Sequence, residues 1–185
     1  MLKNPVTAAD HIQGDASAPV VLVEYGDYQC PHCGHAYPIV KRVQKHFGKR
    51  LAFVFRNFPL NEIHPEAEDA AETAEFAGAN QKFWDMHDRL FANQRELTRP
   101  DLSKHAQAIG LNVGTFDQCL DSGKSVARVR KDLADAEKLQ ANGTPTFFVG
   151  LTEGNGSPIK GTRIVGAVPY QTFKETIDKL LASQK

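Results

Sequence analysis

Four short apolar runs and one long tract of helical periodicity divide the chain. Val20 to Tyr25 is β-branched and apolar except for Glu24, as expected of a strand buried on both faces, and Gly26-Asp27 breaks it. Pro31 suits the first turn of a helix, where its missing N–H is an orphan in any case. From Ala36 onward Tyr37, Ile39, Val40, Val43 and Phe47 recur at helical spacing up to Gly48. Pro38 falls inside that helix, where a proline costs about 3 kcal/mol or more, so a bend is expected. Leu51 to Phe55 reads as a second buried strand, followed by Arg56-Asn57-Phe58-Pro59-Leu60. A strand, a helix and a strand without a hairpin turn imply a right-handed parallel βαβ unit.

From His64 to about Asn142 no strand-like run occurs, and helical signals follow one another. Pro65 is expected to start a helix whose Ala67, Ala70, Ala71, Ala74 and Ala77 form a small-residue face ending at Gly78. Phe83, Trp84, His87, Leu90 and Phe91 form the next stripe, an aromatic core set with His87 as a partnered histidine. Thr98-Arg99-Pro100 opens a short helix to Gly110. Val113 to Leu120 makes another, ending near Gly123 and carrying Cys119 as a small core residue. Ser125 to Ala141 is amphipathic and should return the chain to the sheet. Thr146–Val149 and Arg163–Gly166 read as strands of an antiparallel hairpin with a Gly-rich loop, Gly150 to Thr162. Pro169 begins a last helix with Phe173, Ile177, Leu180 and Leu181 inward. The expected divisions are 1–62, a polar lead-in wrapping the domain edge and the first βαβ half; 63–142, the helical insertion; and 143–185, the hairpin and final helix.

Charge narrows the function classes. The 22 Lys and Arg balance the 22 Asp and Glu, so no chain-wide field recruits nucleic acid, and no basic-aromatic interleaving suggests a strand-binding surface. Apolar runs of about six residues are well short of a membrane span. No hydrophobic stretch follows Met1-Leu2-Lys3-Asn4-Pro5, so no secretion signal is visible. A cytoplasmic monomer is expected, or a periplasmic or secreted protein whose leader has been removed.

The chemistry sits at Cys30-Pro31-His32-Cys33. A cysteine at a helix N-terminus meets exposed backbone N–H groups and the positive end of the helix dipole, which favour the reactive thiolate. Cys30 is therefore the expected nucleophile. Cys33, one turn further and more interior, is the resolving partner. Pro31 stiffens the loop, and His32 can place an imidazolium or an N–H donor beside the thiolate. Half a zinc site has the same spacing, and His32 and His35 lie beside it. Against zinc, no second C-x-x-C exists, Cys119 is distant, and no H-x₃₋₅-H spacing completes a tetrahedral set.

Several of these residues carry a family resemblance: the strand ending in Glu24, Cys30-Pro31-His32-Cys33, Pro38 and Gly143-Thr144-Pro145-Thr146-Phe147, with Asp10-His11-Ile12-Gln13-Gly14 and Ala18-Pro19-Val20 near the start. Together they resemble a DsbA-like thiol:disulfide oxidoreductase along nearly the whole chain. The resemblance implies a thioredoxin fold, an α/β arrangement of a central mixed sheet flanked by helices, with an inserted all-helical subdomain. It implies no cofactor beyond a redox-active Cys30–Cys33 disulfide and no metal. The partners it implies are protein or peptide thiols and disulfides, together with a separate redox partner. Glu24, which on the residues alone could be a strand-end carboxylate reaching water, would lie beneath the active site and relay protons to the second thiol. Pro145 would be cis, opposite the cysteines, exposing the Thr144 backbone to a bound peptide, with the Thr144 hydroxyl tuning release. Pro-His between the cysteines tilts the expectation towards an oxidase. A thioredoxin-fold binding or assembly module, including a zinc-holding one, is the other class the residues allow.

Overall fold

The computed structural model describes residues 5–152 and 161–184. Its centre is a five-stranded sheet in the order β1-β3-β2-β4-β5, made of β1 (His11–Gln13), β2 (Val20–Gly26), β3 (Leu51–Asn57), β4 (Thr146–Leu151) and β5 (Gly161–Val165). β2 and β3 run parallel, with Val20 opposite Leu51 and Gly26 opposite Asn57. Between them the chain passes through α1 (Pro31–Phe47) and a 3₁₀ turn, Gly48–Arg50. The remaining pairs are antiparallel. Every residue of β2 and β3 is buried, which is why their sequences run apolar without alternating.

Strand periodicity then sorts the side chains between two cores. Val20 and Leu22 of β2 pack with Phe53, Phe55, Phe147 and Val149 against α1, against α3 (Phe83–Ala92) and against α7 (Tyr170–Ala182). Val21, Val23 and Tyr25 face the other way, with Ala52, Val54 and Phe148, onto Ala136 of α6 (Val126–Lys138). Glu24 is in phase with Val20 and Leu22, so its carboxyl is directed into the first core, which also holds Cys30 and Cys33.

The helical insertion comprises α2 (Ala67–Ala79), α3, α4 (Arg99–Ala108), α5 (Val113–Ser122) and α6. The five alanines expected to form one face of α2 are all buried, and that helix packs against α3, α4, α5 and α6. His87 is buried and its Nδ1 lies 3.1 Å from the Tyr28 hydroxyl.

Several boundaries differ from the sequence reading. The lead-in contains a strand, β1, too short to show a period, whose His11 ring stacks on Phe83 and bonds Glu75 at 2.9 Å. α2 begins at Ala67 and not at Pro65, because His64 and the Glu66 N–H are held by Asp27 and Gln29 in the turn before Cys30. α7 likewise starts at Tyr170, with Pro169 as its cap. β4 and β5 pair antiparallel as expected. Most of the Gly-rich loop read over Gly150–Thr162 lies outside the described residues. Among the described residues, no helix is long and apolar enough to cross a membrane.

Candidate active site

β2 ends at Gly26, where only a glycine fits: a Cβ there would lie 2.5 Å from the Phe55 ring and 3.1 Å from Glu24 Oε1. The chain turns at Asp27, whose Oδ1 accepts from the N–H groups of Gln29 (2.7 Å) and Cys30 (3.2 Å). Cys30 is the N-cap residue of α1, in extended conformation, with Pro31 opening the helix. This brings Cys30 and Cys33 to the first turn of the helix, with Cys30 4% exposed and Cys33 fully buried. Both are thiols. Pro31 and His32 between them are exposed.

The two thiols are driven apart in acidity. Cys30 is lowered from 9.0 to about 5, first by the hydrogen bond of the Cys33 thiol, against an opposing burial cost, then by Thr144 and by the backbone N–H groups of Cys33 and His32. Cys33 is pushed well up, chiefly by burial, then by the bond it gives to Cys30 and by the charges of Glu24 and Cys30. His32 contributes to that lowering through its backbone N–H. The imidazole stands on the surface, 6.4 Å from the His35 ring centroid, because the helix start directs its N–H to the sulfur and its side chain outward.

Glu24 is buried, and burial first, then the Cys30 charge, raises its carboxyl from 4.5 to about 8. Its Oε1 has no hydrogen-bond partner. The reading of Glu24 as a strand-end carboxylate reaching water fails because β2 is covered along its whole length. Across the site the Thr144–Pro145 peptide bond is cis. The Cys30 thiol donates to the Thr144 carbonyl at 3.5 Å, while Thr144 Oγ1 has no partner in this thiol form and offers a donor to the thiolate.

A thiolate held this way ties stability to redox state. Because the folded value of Cys30, about 5, lies below its unfolded 9.0, the stabilisation is complete above pH 9 and vanishes as pH falls through 5. From pH 5 to 7 the full linkage is ~2.7 kcal/mol, halved here to ~1.4 kcal/mol because the thiolate, though only 4% exposed, lies beside the exposed Pro31 and His32, where solvent screens its charge. Closing a C-x-x-C loop contributes only roughly 2 kcal/mol to the disulfide form. The dithiol is thus expected to gain on the disulfide by ~1.4 kcal/mol between pH 5 and 7, and by about as much again by pH 9. Urea melts of both forms across that range check it; a gap independent of pH contradicts it.

Three residues of the site, Asp27, His64 and Gln94, were missed in the sequence. Asp27, read only as a chain breaker, also accepts at Oδ2 from the Leu60 N–H (2.9 Å) and lies 2.7 Å from His64 Nδ1. Gln94, from the segment after α3, donates to the carbonyls of Tyr28 (2.8 Å) and Cys30 (2.9 Å), and its amide occupies the space over Gly34, where a Cβ would come within 2.0 Å. The helical insertion thus braces the cysteine turn at two places. The acid at Asp27 just before a helix start has the form of an Asx turn, which is the signal that could have revealed it. Among the described residues, no group of three or more His, Cys, Asp or Glu is placed to hold a metal ion.

Comparison with known proteins agrees with this architecture. Residues 6–179 match the thioredoxin family profile, so the chain belongs to the thioredoxin family, and it is a DsbA-like member of that superfamily. BdbD from Bacillus subtilis in its oxidised form superposes with a TM-score of 0.83 at 27% identity, over 97% of this chain and 96% of that one. Alpha-DsbA1 of Wolbachia pipientis gives 0.79 at 25%, over 96% and 94%. Among curated sequences, a Na(+)/H(+) antiporter NhaA 1 from Mycobacterium sp. (strain KMS) is 48% identical over 154 residues, 82% of this chain but 24% of that protein. An NhaA antiporter of Herminiimonas arsenicoxydans is 40% identical over 169 residues, 91% of this chain and 25% of that protein. The chain spans about a quarter of the length of these curated relatives.

Proposed function

We propose that this chain exchanges disulfides with protein or peptide thiols through Cys30 and Cys33, working as a thiol oxidase. The observation that carries the reading is the opposed acidity of the pair: a thiolate-prone Cys30 at the helix start and a buried Cys33 held as a thiol. A substrate thiolate attacks Cys30 of the disulfide, and Cys33 leaves. A second substrate thiolate then attacks the substrate sulfur, releasing Cys30 as a thiolate and the substrate as a disulfide. The low pKa of Cys30 makes it a good leaving group, which favours oxidation of the substrate. Glu24, near neutrality and beneath Cys33, is suited to give Cys33 its proton on release and to take it back when a separate redox partner re-forms the disulfide. The Thr144 carbonyl beside Cys30 is suited to receive the N–H of an extended peptide.

A brief iodoacetamide pulse on the reduced protein at pH 6 tests the pair. Cys30 is ~90% thiolate there and an ordinary cysteine ~0.1%. Its lower intrinsic nucleophilicity cuts that advantage to roughly tenfold. Cys30 is expected to carry the label, with Cys33 and Cys119 unlabelled. Dominant label on Cys33 overturns the role assignment. An oxidised protein that leaves the thiols of a reduced dithiol peptide untouched favours a binding module without turnover.

A further inference from the structure

In the exchange just proposed, on which this inference rests, a substrate thiolate forms a bond to Cys30 Sγ as the Cys30–Cys33 bond breaks. The electron pair leaves on Cys33 Sγ, so a negative charge arises on a fully buried sulfur that shares a core with Glu24. Such a charge needs a donor already in place. The structure provides one: the backbone N–H of Asp27 donates to Cys33 Sγ at 3.4 Å.

The aim of that N–H depends on the turn from Gly26 to Cys30, and the Asp27 side chain fixes the turn. Its carboxylate is fully enclosed and engaged on both oxygens. Oδ1 takes the N–H groups of Gln29 and Cys30, and Oδ2 takes the N–H of Leu60 and the ring of His64. One acceptor pair therefore clamps the approach to α1 onto the loop that follows β3. An asparagine cannot reproduce this, because its NH₂ would face one of the two pairs of donors. His64, 15% exposed, holds the outer oxygen from the side of that loop.

We propose that Asp27, with His64, is a positioning residue for the thiolate of Cys33: its carboxylate holds the turn so that its own N–H meets the sulfur as the disulfide opens. The same contact serves the reverse step, when Cys33 attacks the mixed disulfide. Removing the clamp slows opening and closing together and leaves their ratio unchanged.

The test measures three quantities on Asp27→Asn and His64→Ala in the whole chain: the rate of reduction of the oxidised protein by dithiothreitol, the glutathione redox equilibrium, and the rate of Cys30 alkylation at fixed pH. For Asp27→Asn, reduction is expected to slow about tenfold, with alkylation and the redox equilibrium within about threefold of the parent. His64→Ala keeps the three backbone donors and is expected to slow reduction by a smaller factor, with the same two quantities unmoved; it decides the matter if Asp27→Asn does not fold. Reduction unchanged in both variants, or reduction and alkylation falling together, overturns the assignment. A parent protein that forms no Cys30–Cys33 disulfide overturns the exchange reading itself, whatever the variants do.

Discussion

Replacing Cys33 with alanine is expected to abolish turnover and to leave the protein covalently joined to its substrates through Cys30. The thiolate is available: with its pKa lowered to about 5, Cys30 is almost wholly ionised at neutral pH. It attacks a substrate disulfide, one substrate sulfur bonds to Cys30 and the other departs as a thiolate. In the parent, Cys33 then attacks Cys30, the Cys30–Cys33 bond forms, and the remaining substrate leaves with the electron pair. Cys33 sits one helical turn away in the same buried core, so this step is intramolecular. Well-oriented intramolecular groups reach effective concentrations far above any external thiol, so loss of Cys33 should slow release by at least ~10³-fold at millimolar thiol. Mass spectrometry after incubation with oxidised glutathione, and non-reducing gels after incubation with disulfide-bonded proteins, would show the adducts. Cys30→Ser is the control and should show none. An alanine variant that releases its substrates as fast as the parent would mean that Cys33 is not the resolving group.

The part of this site that depends on neighbours in sequence was legible without a structure. The spacing of Cys30 and Cys33, the proline between them and the apolar stripe of α1 place both sulfurs at a helix start, and the structure has them there. The buried strands were legible because a strand covered on both faces has no polar positions to confuse its pattern, and the alanine face of α2 because close packing selects small side chains at helical spacing. Contacts that cross the fold left no trace of that kind. Gln94 reaches Cys30 from 64 positions away, and His64 reaches Asp27 from 37 positions away. Neither has a periodic neighbour to mark it. For His32 the sequence shows only that a histidine is adjacent to the thiolate, while the backbone path brings its N–H to the sulfur.

Glu24 gives the largest expected change in stability, and its sign is the opposite of the Cys30 effect. A carboxyl raised from 4.5 to about 8 is protonated in the folded state where the unfolded chain has already ionised. Below pH 4.5 both states are neutral and nothing is lost. As pH rises from 4.5 towards 8 the unfolded state binds fewer protons than the native one, so folding stability falls, and above 8 the loss is constant. At pH 7 the cost is about 3 kcal/mol. Glu24→Leu removes both the ionisation and the carboxyl oxygen that has no partner, with little change in side-chain volume. The variant should therefore be more stable than the parent by about 3 kcal/mol at pH 7, with the difference shrinking steadily towards pH 4.5. In the disulfide form Cys30 carries no charge, so the second cause of the raised value is absent and the gain should be smaller than in the dithiol form. Glu24→Gln should flatten the same pH dependence with less absolute gain, because its amide remains buried without a partner. Both variants should exchange disulfides more slowly, since Glu24 is the carboxyl whose charge acts on Cys33 and whose pKa is raised to near neutrality. Urea midpoints of parent and variants at pH 4.5, 7 and 8.5, in each redox form, measure the difference directly. A parent-to-leucine difference that stays flat across that range would show that Glu24 ionises in the folded protein as it does in water, and the relay would lose its basis.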